Sequence, residues 1–164
     1  MFKKIIFSLF LCFTFTSNAQ GKISLKSSVP EFKLWLLNDA IITKENLKDK
    51  VVVLKFWFTT CTPCIEDIPK MNSLVNTYNN REDILFIAPA LDRKQPIEKL
   101  IKKIPFEFKI AYNSMDVSQV FNKKQVYPSY FVIDKKGKFV FIDSGSQKSN
   151  FNDLKSAVEK ALEM

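Results

Sequence analysis

Cys61 and Cys64, with only Thr62 and Pro63 between them, are the residues of this chain best suited to do chemistry. Two thiols at this spacing can close into a disulfide or open into a dithiol, and the thiolate form is the nucleophile in exchange between the two. Other uses of such a pair fail for want of partners. A structural zinc site needs four ligands, but the chain has no histidine and only one further cysteine, Cys12, so zinc would have to be shared between two chains. Attachment of a c-type haem needs a histidine directly after the second cysteine, and Ile65 stands there.

The elements around the pair must hold one sulfur at the surface and the other inside. Val51 to Phe58 is apolar on both faces except at Lys55, the pattern of a central parallel strand covered on both sides. Thr59 and Thr60 end that run, and a helix follows. Counted from Cys64, the residues Ile68, Met71 and Val75 recur at helical intervals, whereas Glu66, Lys70, Ser73 and Thr77 form the wet side. The spacing therefore predicts a buried Cys64 and a Cys61 exposed at the first turn. There the free backbone N–H groups and the positive end of the helix dipole favour a thiolate. Pro63 pre-sets that turn and removes a competing donor, and Glu66 is expected to pair with Lys70 on the outer face. Pro69 is expected to kink the helix, because it lacks the N–H its turn requires. A buried Lys55 would be costly unless its ammonium reaches solvent or meets a carboxylate such as Asp67.

The remaining chain supplies a frame. Phe32, Leu34 and Leu36 share one face of an extended segment, Asn38 and Asp39 make a turn, and a short strand lies near Ile41 and Ile42. Thr43 with Asn46 and Leu47 marks a capped single turn leading to Val51. ILFIAPAL, starting at Ile84, is a second strand buried on both faces, and Pro96 opens a helix whose inner stripe is Ile97, Leu100, Ile101 and Ile104. PFEFKIAYN reads as a short strand, and MDVSQVFNKK as a short helix packed through Val117, Val120 and Phe121. A hairpin follows, turning at Lys135 to Lys138, with Tyr130 and Val132 on one strand and Phe139 and Phe141 on the other. Asn150 or Asn152 is expected to cap a last amphipathic helix through Leu154, Val158 and Leu162.

The segment FWFTTCTPCIEDIP resembles the active-site segment of the TlpA/ResA-like thiol-disulfide oxidoreductases, exported members of the thioredoxin superfamily, and the likeness runs from about Pro30 to the last helix. It implies an α/β fold: a thioredoxin-like three-layer sandwich with a central mixed β-sheet, helices on both faces and an N-terminal β-hairpin, spanning 30–164. It also implies dithiol-disulfide exchange without a bound cofactor or metal, with Cys61 attacking and Cys64 resolving. Three residues after Cys64, where the family often has glutamate, stands Asp67, the implied proton acceptor. Pro128 is implied to be cis and to lie across from Cys61, its preceding backbone available to an extended substrate. Sequence alone would not say so, since only ~5% of X-Pro bonds are cis. Tyr127 is a large neighbour that would narrow the substrate groove or shield the disulfide. Two departures stand out: Lys55 sits where thioredoxins place a buried aspartate, and there it would tune the thiols by stabilising a thiolate or, deprotonated, by serving as base, and Thr60 replaces the tryptophan usual before the first cysteine. A peroxiredoxin would carry the proline and threonine of its peroxide loop where Leu54 and Phe58 stand.

Residues 1–19 read as a signal peptide: Lys3 and Lys4, an apolar run from Ile5 to Phe15, then Ser17 and Ala19 in the small-residue places before cleavage. The apolar run is too short for a membrane span, which needs about 20 residues, and a lipoprotein anchor at Cys12 is the lesser alternative because Leu11 precedes it. Residues 20–29 are polar, an expected flexible lead-in. The formal net charge of +8 falls by two once Lys3 and Lys4 leave, and the lysines are scattered without a basic run or a phosphate-binding loop. That describes a solvated surface and no nucleic-acid site. The resemblance implies protein thiols and disulfides as partners together with a membrane electron donor, and a periplasmic monomer acting as a reductase in thiol homeostasis or cytochrome c maturation. The alternatives are a disulfide oxidase or isomerase and, outside enzymes, a carrier of Cu(I) between the two thiolates.

Overall fold

Strand β3 (Val51–Phe56) is buried along its whole length and lies in the middle of a seven-stranded sheet of order β2-β1-β5-β4-β3-β6-β7. The computed structural model describes residues 23–145 and 150–164, so the expected signal peptide and Cys12 lie outside the described residues. Strands β1 (Lys33–Leu36) and β2 (Ile41–Thr43) form the N-terminal hairpin, with Trp35 opposite Ile41. A single 3-10 turn, Lys44–Leu47, leads into β3, and the Asn46 carboxamide oxygen accepts from the Thr43 N–H at 2.8 Å, as the capped turn requires.

Strand β4 (Ile84–Pro89) runs parallel to β3, and β5 (Lys109–Tyr112) parallel to β4. On the other side β6 (Ser129–Ile133) runs antiparallel to β3 and pairs with β7 (Phe139–Ser144). Asp134 closes that last hairpin by accepting from the N–H groups of Lys136 and Lys138, and Gly137 supplies the positive φ of the turn.

Side chains alternate across β3, so it divides the core in two. Val51, Val53 and Trp57 join a layer with Cys64, Ile68, Met71, Ile97, Leu154 and Val158. These come from helices α1 (Thr62–Glu66), α2 (Ile68–Thr77), α3 (Lys94–Ile101) and α5 (Asn150–Leu162). Val52, Leu54 and Phe56 face a second layer with Leu34, Leu47, Phe131, Phe139 and Phe121 of α4 (Met115–Phe121). This is the expected thioredoxin-like sandwich, with helices on both faces of a mixed sheet.

Three local expectations change. In place of one kinked helix the chain breaks at Asp67 and restarts as α2, with Pro69 in its first turn, because a proline N cannot bond back to the carbonyl four residues earlier. The lead-in is bound along the last hairpin where it is described: the Lys26 and Val29 N–H groups donate to the Phe139 and Gly137 carbonyls at 2.7 and 3.0 Å. Val29 is buried there, so polar composition did not leave this stretch free. Asn152 lies inside α5 and does not cap it, and the side chain of Asn150 is outside the described residues.

Candidate active site

The site forms where β3 stops. Trp57 still bridges to Ala90, its N–H donating to the Pro89 carbonyl at 3.2 Å, and the chain then turns through Thr59 and Thr60 to Cys61 at the N-cap of α1. Asp92, just past β4, fixes that turn. Its carboxylate accepts from the Thr59 N–H at 2.7 Å and from the Thr59 hydroxyl at 2.9 Å. Pro63 lies in the first turn of α1, where no intrahelical N–H bond is owed.

Cys61 and Cys64 are joined as a disulfide, their Cα atoms 5.2 Å apart. Cys64 is fully buried, as its helical position predicts. Cys61 is not the exposed residue expected, since only 6% of its surface is accessible. In the closed pair it belongs to the same apolar layer as Trp57, Cys64 and Tyr130, with Phe58 and Tyr127 packed against that layer. The rings of Phe58 and Tyr127 meet edge to face, centroids 5.5 Å apart. Thr60 is exposed in the position the tryptophan would hold.

The Tyr127–Pro128 bond is cis. Ser129 is the register partner of Phe56, which puts Pro128 beside Trp57 at the same end of the sheet as the disulfide. The Tyr127 hydroxyl is tied down by Ser118 of α4 at 2.7 Å and donates to the Gln125 carboxamide oxygen at 2.8 Å. Those two hydrogen bonds hold the ring where it meets Phe58.

Behind the disulfide lies a polar cluster. Lys55 is fully buried, and its ammonium donates to the Cys64 carbonyl at 2.9 Å and to Asp67 Oδ2 at 3.1 Å. Phe106 sets its ring 5.3 Å from the ammonium. Of the two ways a buried lysine could be accommodated, pairing with Asp67 is therefore the one adopted. Burial pushes the Lys55 pKa down from its ordinary value, and Asp67 opposes that shift. The Tyr130 hydroxyl also donates to Asp67 Oδ2, and burial followed by the negative charge of Asp67 pushes its pKa far above the usual tyrosine value. Glu66 stands exposed and makes no ion pair with Lys70 among the described residues. The chain leaves the helix after Glu66, so the four-residue spacing that would join them is interrupted at Asp67.

Sequence alone missed Tyr130 as a site residue and missed the Asp92 clamp. A hydroxyl inside the otherwise apolar run YFVI was the available signal, because a buried tyrosine O–H seeks a partner.

A buried mixed sheet that ends in a disulfide at a helix N-cap, with a cis proline directly before the neighbouring strand, defines a thioredoxin-like protein with a redox-capable pair. The chain belongs to the AhpC/TSA family, whose model matches residues 25–142. It is similar to proteins named thiol-disulfide oxidoreductase ResA. The one from Geobacillus thermodenitrificans is 30% identical over 139 residues, 84% of this chain and 78% of that protein. The one from Geobacillus kaustophilus is 29% identical over 143 residues, 86% and 78%. Among solved structures, a putative thiol:disulfide interchange protein DsbE from Chlorobium tepidum superposes with a TM-score of 0.77 at 23% identity, covering 85% of this chain and 99% of that one. A putative protein disulfide isomerase from Bacteroides thetaiotaomicron superposes with a TM-score of 0.79 at 18% identity, covering 87% and 92%. At these identities the structural matches speak for the fold. The ResA relatives put the Cys61–Cys64 pair among the thiol-disulfide oxidoreductases.

Proposed function

We propose that this protein is an exported reductase of protein disulfides. The Cys61 thiolate attacks a substrate disulfide and expels one substrate thiolate, leaving a mixed disulfide. Cys64 then gives its proton to Asp67 and attacks the Cys61 sulfur, and the second substrate thiolate leaves. The substrate gains two electrons and the protein closes into the disulfide form. A membrane electron donor returns the two electrons, and the cycle needs no bound cofactor. Tyr127 and the cis Pro128 border the groove in which an extended substrate segment lies. The observation that carries the proposal is the closed Cys61–Cys64 pair at the N-cap of α1 with Asp67 at the end of the same short helix. Export is supported by residues 1–19, and no helix among the described residues is long and apolar enough to cross a membrane. Cysteines of proteins in the periplasm, including those awaiting haem, are the substrate class, and the protein works as a monomer.

Insulin reduction with wild type and Cys61→Ser, paired with a redox titration of the Cys61–Cys64 couple, tests this. Wild type is expected to turn over, Cys61→Ser not, and the couple to titrate below roughly −200 mV. A midpoint near −120 mV, where strong oxidants lie, would reverse the assigned direction.

A further inference from the structure

We propose that Lys55 and Tyr130 are positioning residues for the resolving step, Lys55 as the counter-charge that stays in place while a proton passes from Cys64 to Asp67, and Tyr130 as the clamp that leaves one oxygen of Asp67 free to receive it. The proposal rests on the attacking and resolving roles given above.

Lys55 and Tyr130 are register partners on β3 and β6, so their side chains stand next to each other on the same face of the sheet. Both donate to the same atom, Asp67 Oδ2, and Oδ1 accepts no hydrogen bond from any described residue. The ammonium also holds the Cys64 carbonyl, which ties the cluster to the residue whose sulfur must react. Lys55 has no exposed surface, while the Asp67 side chain is 18% exposed, so the cluster meets water only at its carboxylate end. The other charged group facing it is Asp143 of β7, the register partner of Tyr130.

Before resolution the cluster holds one ammonium, one carboxylate and one thiol, with no net charge. After the proton moves from Cys64 Sγ to Asp67 Oδ1, it holds the same ammonium, a neutral carboxyl and a thiolate, again with no net charge. In a site of low dielectric, moving a charge beside a fixed counter-ion is far less costly than creating one. Without Lys55 the same transfer would carry a net negative charge throughout, in surroundings that disfavour an unpaired charge. Tyr130 is suited to its part because burial keeps its hydroxyl protonated, hence a donor, across the working pH range.

The reaction of the reduced protein with 5,5′-dithiobis(2-nitrobenzoate) separates the two steps. Attack by Cys61 releases one thionitrobenzoate, and resolution by Cys64 releases the second, so stopped-flow absorbance reads both phases from about pH 5 to 9. In Lys55→Met the second phase is expected to slow about tenfold at neutral pH and its pH midpoint to rise by about one unit, while the first phase stays within about twofold of wild type. Tyr130→Phe, which removes one oxygen and preserves packing, is expected to raise the midpoint by a smaller step, and it decides the matter alone if Lys55→Met does not fold. Second-phase profiles that superimpose on wild type, or a uniform slowing of both phases with the midpoint unmoved, would overturn the proposal. A wild-type protein that releases only one thionitrobenzoate would instead overturn the resolving role of Cys64 itself.

Discussion

The two faces of β3 are built to different specifications. On one, Val52, Leu54 and Phe56 meet a layer in which Phe32, Phe121, Phe131 and Phe139 pack against one another and Phe56, centroids 5.6 to 5.9 Å apart and mostly edge to face. The described members of that layer are apolar, and each ring pair adds about 0.5–1.5 kcal/mol beyond burial. On the other face, one residue from Leu54 and two from Val53, an ammonium is fully buried under the disulfide. The same strand thus holds the fold together with its even-numbered side chains and serves the sulfurs with its odd-numbered ones. The contrast teaches that a lysine in a buried strand is a question of partners: Lys55 has Asp67 and a carbonyl, and the apolar face offers nothing equivalent.

Moving a lysine across the strand is the most severe of the substitutions that test this difference between the two faces. Leu54→Lys would bury an ammonium among phenylalanine rings with no acceptor and is expected to destabilise by more than about 4 kcal/mol, if it folds at all. Urea denaturation measures it, and a loss below about 1 kcal/mol would mean that the aromatic layer accommodates charge in a way its packing does not reveal. Removing the charges from the other face gives the complementary case. Asp67→Leu alone strands Lys55 and should cost about 3–5 kcal/mol, whereas Lys55→Met with Asp67→Leu should be near neutral or stabilising by about 1–4 kcal/mol. A double variant as unstable as the single one would show that the pair is there to hold the fold.

Much of this division was legible from residue order. The apolar run placed β3 and marked Lys55 as the anomaly with Asp67 as a candidate partner, and helical spacing placed Ile68 and Met71 on the inner stripe of α2, although it chose Val75 where Leu74 is the residue fully buried. What escaped depends on contacts distant in sequence. Tyr130 joins the cluster only because β6 pairs antiparallel with β3 in the register that sets Tyr130 against Lys55, and a one-residue slip would have turned its hydroxyl to the opposite face. Asp92 clamps Thr59 across the β3–β4 junction, for which local sequence has no sign. Cys61 is closed in a disulfide with the buried Cys64 and belongs to the apolar layer, so a periodicity argument that treats it as a free first-turn residue exposes it too much.

The smallest expected effect lies at the opposite end of β3, where the strand begins and charge is handled in water. Asp83 donates no proton there; its carboxylate accepts from Arg81 Nε at 2.8 Å and Nη2 at 2.7 Å and pairs with Lys135 at 3.1 Å, while its carbonyl accepts from the Val51 N–H at 2.8 Å. The Arg81 hydrogen bonds, then Lys135, hold its pKa well below the ordinary carboxylate value of 3.8. A carboxylate with a depressed folded pKa contributes stability that is complete above the unfolded value and declines as pH falls through the folded one. Because a third of the side chain is exposed, solvent screening limits that contribution. Asp83→Asn should therefore cost less than about 1 kcal/mol at neutral pH, with the difference from wild type shrinking as pH drops below 3.8 and in high salt. A loss of several kcal/mol that neither acid nor salt reduces would mean that the start of the strand, like its end, depends on a charge shielded from solvent, and the contrast between the two ends of β3 would disappear.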